Sequence, residues 1–118
     1  MNIATITVPL TPPSVNHYTK HTRSGRHYVT KEAEEFKGYI RQFSRNQRIR
    51  GGAYKVELWI YLGKKERGDI DNFAKLALDG LVEASVIDTD AKIVNLHLYK
   101  RRDNAKPRTE IVIGVIER

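Results

Sequence analysis

"AYKVELWIYL" (53–62), "DIDNFAKLALDGLVE" (69–83) and "AKIVNLHLYK" (91–100) follow one another in the chain, and their periods differ. The first alternates Tyr54, Val56, Leu58, Ile60 and Leu62 against Lys55, Glu57, Trp59 and Tyr61. A period of two belongs to a strand with one buried face. In the second, at about 100° per residue, Ile70, Phe73, Ala74, Ala77, Leu78 and Leu81 share one side, and Asp71, Asn72, Lys75, Asp79 and Glu83 the other. That is an amphipathic helix. The third stretch returns to a period of two. Strand, helix and strand in succession frame the rest of the reading.

Upstream, "IATITV" (3–8) alternates apolar residues with Thr and predicts a half-buried strand. Pro9, Pro12, Pro13 and the Ser24-Gly25 pair mark residues 9–28 as loop. Thr30, with Glu34 four residues on, is close to a helix start. Ala33, Phe36, Tyr39, Ile40 and Phe43 then recur at helical spacing as core positions, and "RIRGG" (48–52) ends that helix. Residues 63–68 form a basic turn. "RTEIVIGVIE" (108–117) alternates again after "RRDNAKP" (101–107), so 91–100 and 108–117 could pair as a hairpin. The element order is β-α-β-α-β-β over a single domain, 1–118. This predicts an α+β fold of two layers, with two helices on a mixed or antiparallel sheet. Trp59 is expected under the first helix or at a subunit contact, and His97 on a strand surface.

A chain of 118 residues suffices for one core. No segment approaches the roughly 20 apolar residues of a membrane span. "MNIATITVPL" has no secretory pattern, and the sequence has no cysteine, which excludes disulfides and thiolate metal sites. Both features suit a reducing cytoplasm.

The formal charge of +7 is unevenly placed. Residues 1–68 carry net +8, residues 69–90 net −5 and residues 91–118 net +4. A basic frame attracts polyanions, although scattered lysines also serve solubility. The acidic island between the basic segments asks for another account, because carboxylates repel phosphate unless a cation lies between them. Asp69 could cap the helix, and Asp71, Lys75 and Asp79 could form a solvated ladder. Two aspartates two residues apart, "DTD" at 88–90 and a lysine one turn away also suit Mg²⁺, which takes oxygen ligands and few carboxylates.

"RGDIDNFAKLALDGLVEASVIDTDAKIV" (67–94) resembles the signature of RusA-type crossover (Holliday) junction endodeoxyribonucleases: D-x-D-N-x-x-K, then an Asp shortly before a strand. "VPLTPPSVNHY" (8–18) resembles that family's P-x-P-P-S-x-N opening, and the resemblance spans nearly the whole chain. It implies a homodimeric, Mg²⁺-dependent nuclease, with Mn²⁺ as a substitute, that makes paired symmetric nicks in four-way DNA junctions. It carries catalytic and metal-binding roles onto Asp69, Asp71 and Asp90, an essential cation onto Lys75, and DNA contact onto Asn16. "DTD" stands where a plain "DD" is common, so Asp88 is a possible extra ligand. No organic cofactor and no membrane are implied. A flap- or fork-preferring nuclease, a non-catalytic branched-DNA-binding module and a docking protein are the alternatives.

Basic and aromatic residues in loops suit phosphate contact and stacking on unpaired bases. The candidates are Tyr18, Lys20, Arg23 and Arg26 in the proline loop, Lys64, Lys65 and Arg67 before the aspartates, and Arg101 and Arg102 near the end. Solvated turns are the plain alternative. The spacing of Asp71 and Asp90 poses a question. A helix to Ala84 separates its ends by roughly 20 Å. The following loop can return at most about that far. Either the loop doubles back, the preferred expectation, or Asp90 completes the site of a second protomer across a two-fold axis.

Overall fold

The computed structural model describes residues 3–12, 19–21, 27–64 and 70–116. The chain forms β1 (Ile3–Val8), a short antiparallel pair β2 (Thr19–His21) and β3 (His27–Val29), α1 (Lys31–Phe43) and β4 (Tyr54–Leu62). It continues through a 3-10 turn (Ile70–Phe73) into α2 (Ala74–Glu83), then a second 3-10 turn (Asp90–Lys92), β5 (Ile93–Arg102) and β6 (Arg108–Val115). Strands β1, β6, β4 and β5 lie in that order in one mixed sheet.

Alternation decides which face each strand buries. Tyr54, Val56, Leu58 and Ile60 are fully buried on β4, as are Thr109, Ile111 and Ile113 on β6, and Ala4, Ile6 and Val8 on β1 are almost so. These meet Ala33, Phe36 and Ile40 of α1 and Leu76, Ala77 and Leu81 of α2, so both helices cover the same side of the sheet. Thr30 caps α1, accepting from the Ala33 N–H at 3.3 Å. The helices approach closely at Gly80, where a Cβ would lie 2.6 Å from the Ile40 Cδ1. The result is the expected two-layer α+β architecture, with no helix on the other side of the sheet among the described residues.

Three local expectations are corrected. First, β5 and β6 do not form a hairpin. β4 lies between them, parallel to β5 from Tyr54↔Ile93 to Leu62↔Arg102 and antiparallel to β6 from Tyr54↔Val115 to Tyr61↔Arg108. Alternation assigns faces, not neighbours. The most completely apolar strand takes an interior place, and β5, exposed along most of its length, takes the edge. The chain crosses the end of β4 through Asp103, whose N–H donates to the Leu62 carbonyl at 2.9 Å. Second, the segment read as loop contains β2 and β3. Third, α2 begins at Ala74, later than expected, with Phe73 at the capping position and no side-chain cap there, while the expected cap Asp69 lies outside the described residues.

Candidate active site

Asp71 is exposed on the 3-10 turn that leads into α2. Phe73 fixes that turn: it is buried in a small cluster with Ile60 and Leu62, at the C-terminal end of β4. Lys75 follows one turn later with its side chain 66% exposed, and its Nζ lies 3.5 Å from Asp79 Oδ2. Asp79 therefore holds the expected pairing with Lys75. Asp69 lies outside the described residues.

Asp90 is presented at the other end of α2. That helix closes with Ser85 in the left-handed region, φ 61°, and the Val86 N–H on the Leu81 carbonyl at 2.9 Å. The chain then docks at the start of β4 and does not double back. The Ile49 N–H donates to Val86 O at 2.7 Å, and the Arg50 guanidinium to the carbonyls of Ser85 and Val86 at 3.1 and 3.2 Å. The Tyr54 hydroxyl donates to Asp88 at 2.6 Å, and Lys92 Nζ lies 2.7 Å from the same carboxylate. Lys92 first, then Tyr54, hold the Asp88 carboxyl well below the usual carboxylate range. Burial first, then Asp88, pushes the Tyr54 hydroxyl up. Asp88 is thus an anchor of this segment. Asp90 beside it is exposed, opening a turn capped by Thr89, which accepts from the Ala91 N–H at 3.2 Å.

Asp71 and Asp90 consequently stand near opposite ends of the β4 strand. Phe73 sits on Ile60 and Leu62, whereas Asp88 sits on Tyr54. Six to eight strand residues separate those anchors, roughly 20 Å or more. Among the described residues, no three His, Asp or Glu side chains gather closely enough to hold a metal ion.

A model of the family described as endodeoxyribonuclease RusA matches residues 9–114. The chain belongs to the RusA endodeoxyribonuclease family. It is similar to proteins named crossover junction endodeoxyribonuclease RusA from Escherichia coli strain K12 (30% identical) and Shigella sonnei (29% identical), each match covering 96% of this chain and 95% of the relative. A relative of the same name from Enterobacteria phage 82 is 28% identical over the same shares. Membership of the RusA family makes the chain a nuclease.

In this RusA-family chain the donor chemistry fits a hard divalent cation. Asp71 and Asp90 supply exposed oxygens, and the aspartate ion pairs among the described residues are made by Asp79, Asp88 and Asp103 instead. Of the basic candidates, Lys64 is exposed at the end of β4. Arg102 is exposed and donates to the Gly63 carbonyl, tying the end of β5 to the chain leading toward Asp71. Arg101 is exposed, its guanidinium carbon 5.4 Å from the Trp59 ring centroid. Lys20 lies in β2, and Asn16, Tyr18, Arg23, Arg26, Lys65 and Arg67 fall outside the described residues. Arg108, the first residue of β6, is engaged by Asp103 and Glu110, each at 2.8 Å, and lies 3.8 Å over the Tyr61 ring.

Sequence reasoning overlooked Arg50, Tyr54 and Lys92, which position the Asp90 segment. One signal was present: Tyr54 falls on the buried face of its strand, and a buried hydroxyl requires a partner. Of the two places expected for Trp59, under α1 or at a subunit contact, the first is not the one it takes. It lies on the helix-free side, stacked on Tyr99.

Proposed function

We propose that this nuclease resolves four-way DNA junctions by paired nicks, as a divalent-metal-dependent homodimer in the cytoplasm. One observation carries the reading: the D-x-D-N-x-x-K…D pattern, Asp69 to Asp90, lies within a RusA-family match spanning residues 9–114, and the relatives in that match are named crossover junction endodeoxyribonucleases. The acidic island inside a basic frame supports it. Asp69, Asp71 and Asp90 hold Mg²⁺, with Mn²⁺ as a substitute. When bound, the ion activates water and neutralises charge on the scissile phosphate. Lys75, exposed one turn from Asp71, directs its ammonium at the phosphate oxygens. Lys64, Arg101 and Arg102 approach the flanking backbone, with Lys65 and Arg67, and Asn16, Tyr18, Lys20, Arg23 and Arg26 contact the branch.

The separation of Asp71 and Asp90 within one chain supports a site shared between two chains. β5 supplies a route. It is a ten-residue edge strand whose Val94 and Leu96 are 50% and 41% exposed. Antiparallel pairing of two β5 edges about a two-fold axis carries Asp90 of the partner subunit toward the Asp71 end of this chain. Two matched sites also suit two matched cuts.

The test is cleavage of a labelled synthetic four-way junction, with linear duplex beside it, in Mg²⁺ and in EDTA. Paired nicks in the junction alone, abolished by EDTA and by Asp71→Asn, are expected. Tight binding of the junction without cleavage in either Mg²⁺ or Mn²⁺ overturns the reading and leaves a branch-binding module.

A further inference from the structure

The helix-free side of the sheet carries an aromatic row that the nuclease chemistry does not use. Trp59 on β4 and Tyr99 on β5 are register partners, so their side chains rise from the same side. Their ring centroids are 3.9 Å apart and their planes differ by 13°. His97, two residues before Tyr99, is nearly parallel to it, at 9° with centroids 6.5 Å apart. Arg101, two residues after, places its guanidinium carbon 5.4 Å from the Trp59 centroid and 5.6 Å from that of Tyr99. Trp59 is held by its indole N–H, which donates to Glu57 at 3.1 Å. His97 and Arg101 are exposed, and Trp59 and Tyr99 are half-buried. In a strand, rings on alternate residues recur at twice the rise, roughly 6.5–7 Å. That is also about twice the 3.4 Å spacing of successive bases.

We propose that this face is a stacking surface for unpaired DNA bases. Two features favour nucleic acid over an apolar partner. The row ends in an arginine, which joins base stacks through cation–π contact while offering charge to a phosphate. Lys100 and Arg102, exposed at the same end of β5 but on its other face, add positive charge there. The same end leads to the proposed cutting site, because Arg102 is tied to Gly63 and the chain from there runs to Asp71. An unpaired strand laid along β5 therefore brings its backbone from the aromatic row toward the acidic turn. The inference takes the branched DNA from the junction-nuclease reading, but its test does not depend on cleavage.

Trp59 is the sole tryptophan in the sequence, so indole emission reports this face. The full chain is titrated with a short oligothymidylate and, separately, with a blunt duplex of equal length. Emission and the anisotropy of labelled DNA are followed together. A saturable quench by the single strand, with little from the duplex, is expected. Tyr99→Ala weakens single-strand binding about 5- to 150-fold, the range expected for one lost base stack, and Tyr99→Phe retains it. Single-strand binding with unchanged Trp59 emission overturns the proposal, as does equal affinity of Tyr99→Ala and the wild type. A Trp59 shift that follows protein concentration without DNA also overturns it, by assigning the face to a second copy. A quench by single strands in a protein that never cuts junctions sinks the junction-resolving reading and leaves the stacking surface standing.

Discussion

The hydroxyl of Tyr54 donates to the Asp88 carboxylate at 2.6 Å, so the first residue of an interior strand holds the segment that presents Asp90. Tyr54→Phe removes that bond and leaves the ring in its packed place. The expected loss of stability is about 1 kcal/mol, read from the urea midpoint. Junction cleavage is expected to fall further than this loss explains at temperatures where the variant is fully folded, because the turn beginning at Asp90 loses its tether. Cleavage equal to wild type would separate Asp88 from the presentation of Asp90.

The same contact sets a pH dependence. Asp88 ionises more readily folded than unfolded, so it adds stability above the ordinary aspartate range near pH ~3.9, and that contribution fades as pH falls toward its lower folded value. Asp103, lowered chiefly by Arg108, acts in the same direction. Tyr54 is shifted the opposite way, adding stability up to about pH 10 that is lost as pH rises further. Thermal melts between roughly pH 2 and 6 should show wild-type stability falling on the acid side. Asp88→Asn should start lower at neutral pH and flatten that fall. An acid limb unchanged by the substitution would contradict the assignment.

Lys37 is charged yet its side chain is only 7% exposed, with Nζ 2.7 Å from Glu83 across the gap between α1 and α2. Removing Glu83 leaves the ammonium in a nearly closed place with Glu34, 3.7 Å away, as its remaining carboxylate, whereas replacing the lysine by an apolar side chain of similar length leaves no charge there. Glu83→Ala is expected to cost about 1–2 kcal/mol, below the value for a fully buried pair because Glu83 is half exposed. Lys37→Met is expected to cost less or to stabilise. Denaturant midpoints of both variants decide it, and the reverse ranking would refute the account.

Asp71 and Lys75 are exposed and contribute little packing. Asp71→Asn and Lys75→Ala should therefore lower the cleavage rate by about 10²–10³-fold or more. Their stability should stay within about 0.5 kcal/mol of wild type. Unfolding of either variant under assay conditions would point to a structural role instead.

A shared site predicts complementation. Asp71→Asn and Asp90→Asn are each expected to be inactive. When the two are unfolded together and refolded as a mixture, a mixed dimer carries both lesions in one site and none in the other. Nicking should reappear in the mixture only. A site built within one chain leaves every site damaged, and the mixture stays inactive.

The faces of the sheet were legible because alternation along 54–62 and 108–115 is driven by one-sided burial, and burial acts on each residue separately. Strand neighbours were not legible. The exclusion of β6 from the edge of β5 depends on β4 filling the space between them, a relation among distant segments. The acidic motif was readable as local spacing, Asp71 to Lys75. The placement of Asp90 was not, since it rests on Arg50 and Tyr54 gripping residues 85–88 more than thirty positions later. The Trp59–Tyr99 stack needed the parallel register of β4 and β5, which neither segment reveals alone.

The position of β6 between β1 and β4 also bears on folding. Both neighbours pair with residues 108–115, β1 from Ile3↔Gly114 onward and β4 from Tyr54↔Val115. Until β6 is in place, β1 and β4 share no partner, and β4 has only the parallel β5 beside it. Contacts so distant in sequence slow folding and leave apolar strand edges waiting. β6 is thus the piece that joins the first strand of the chain to the middle of the sheet.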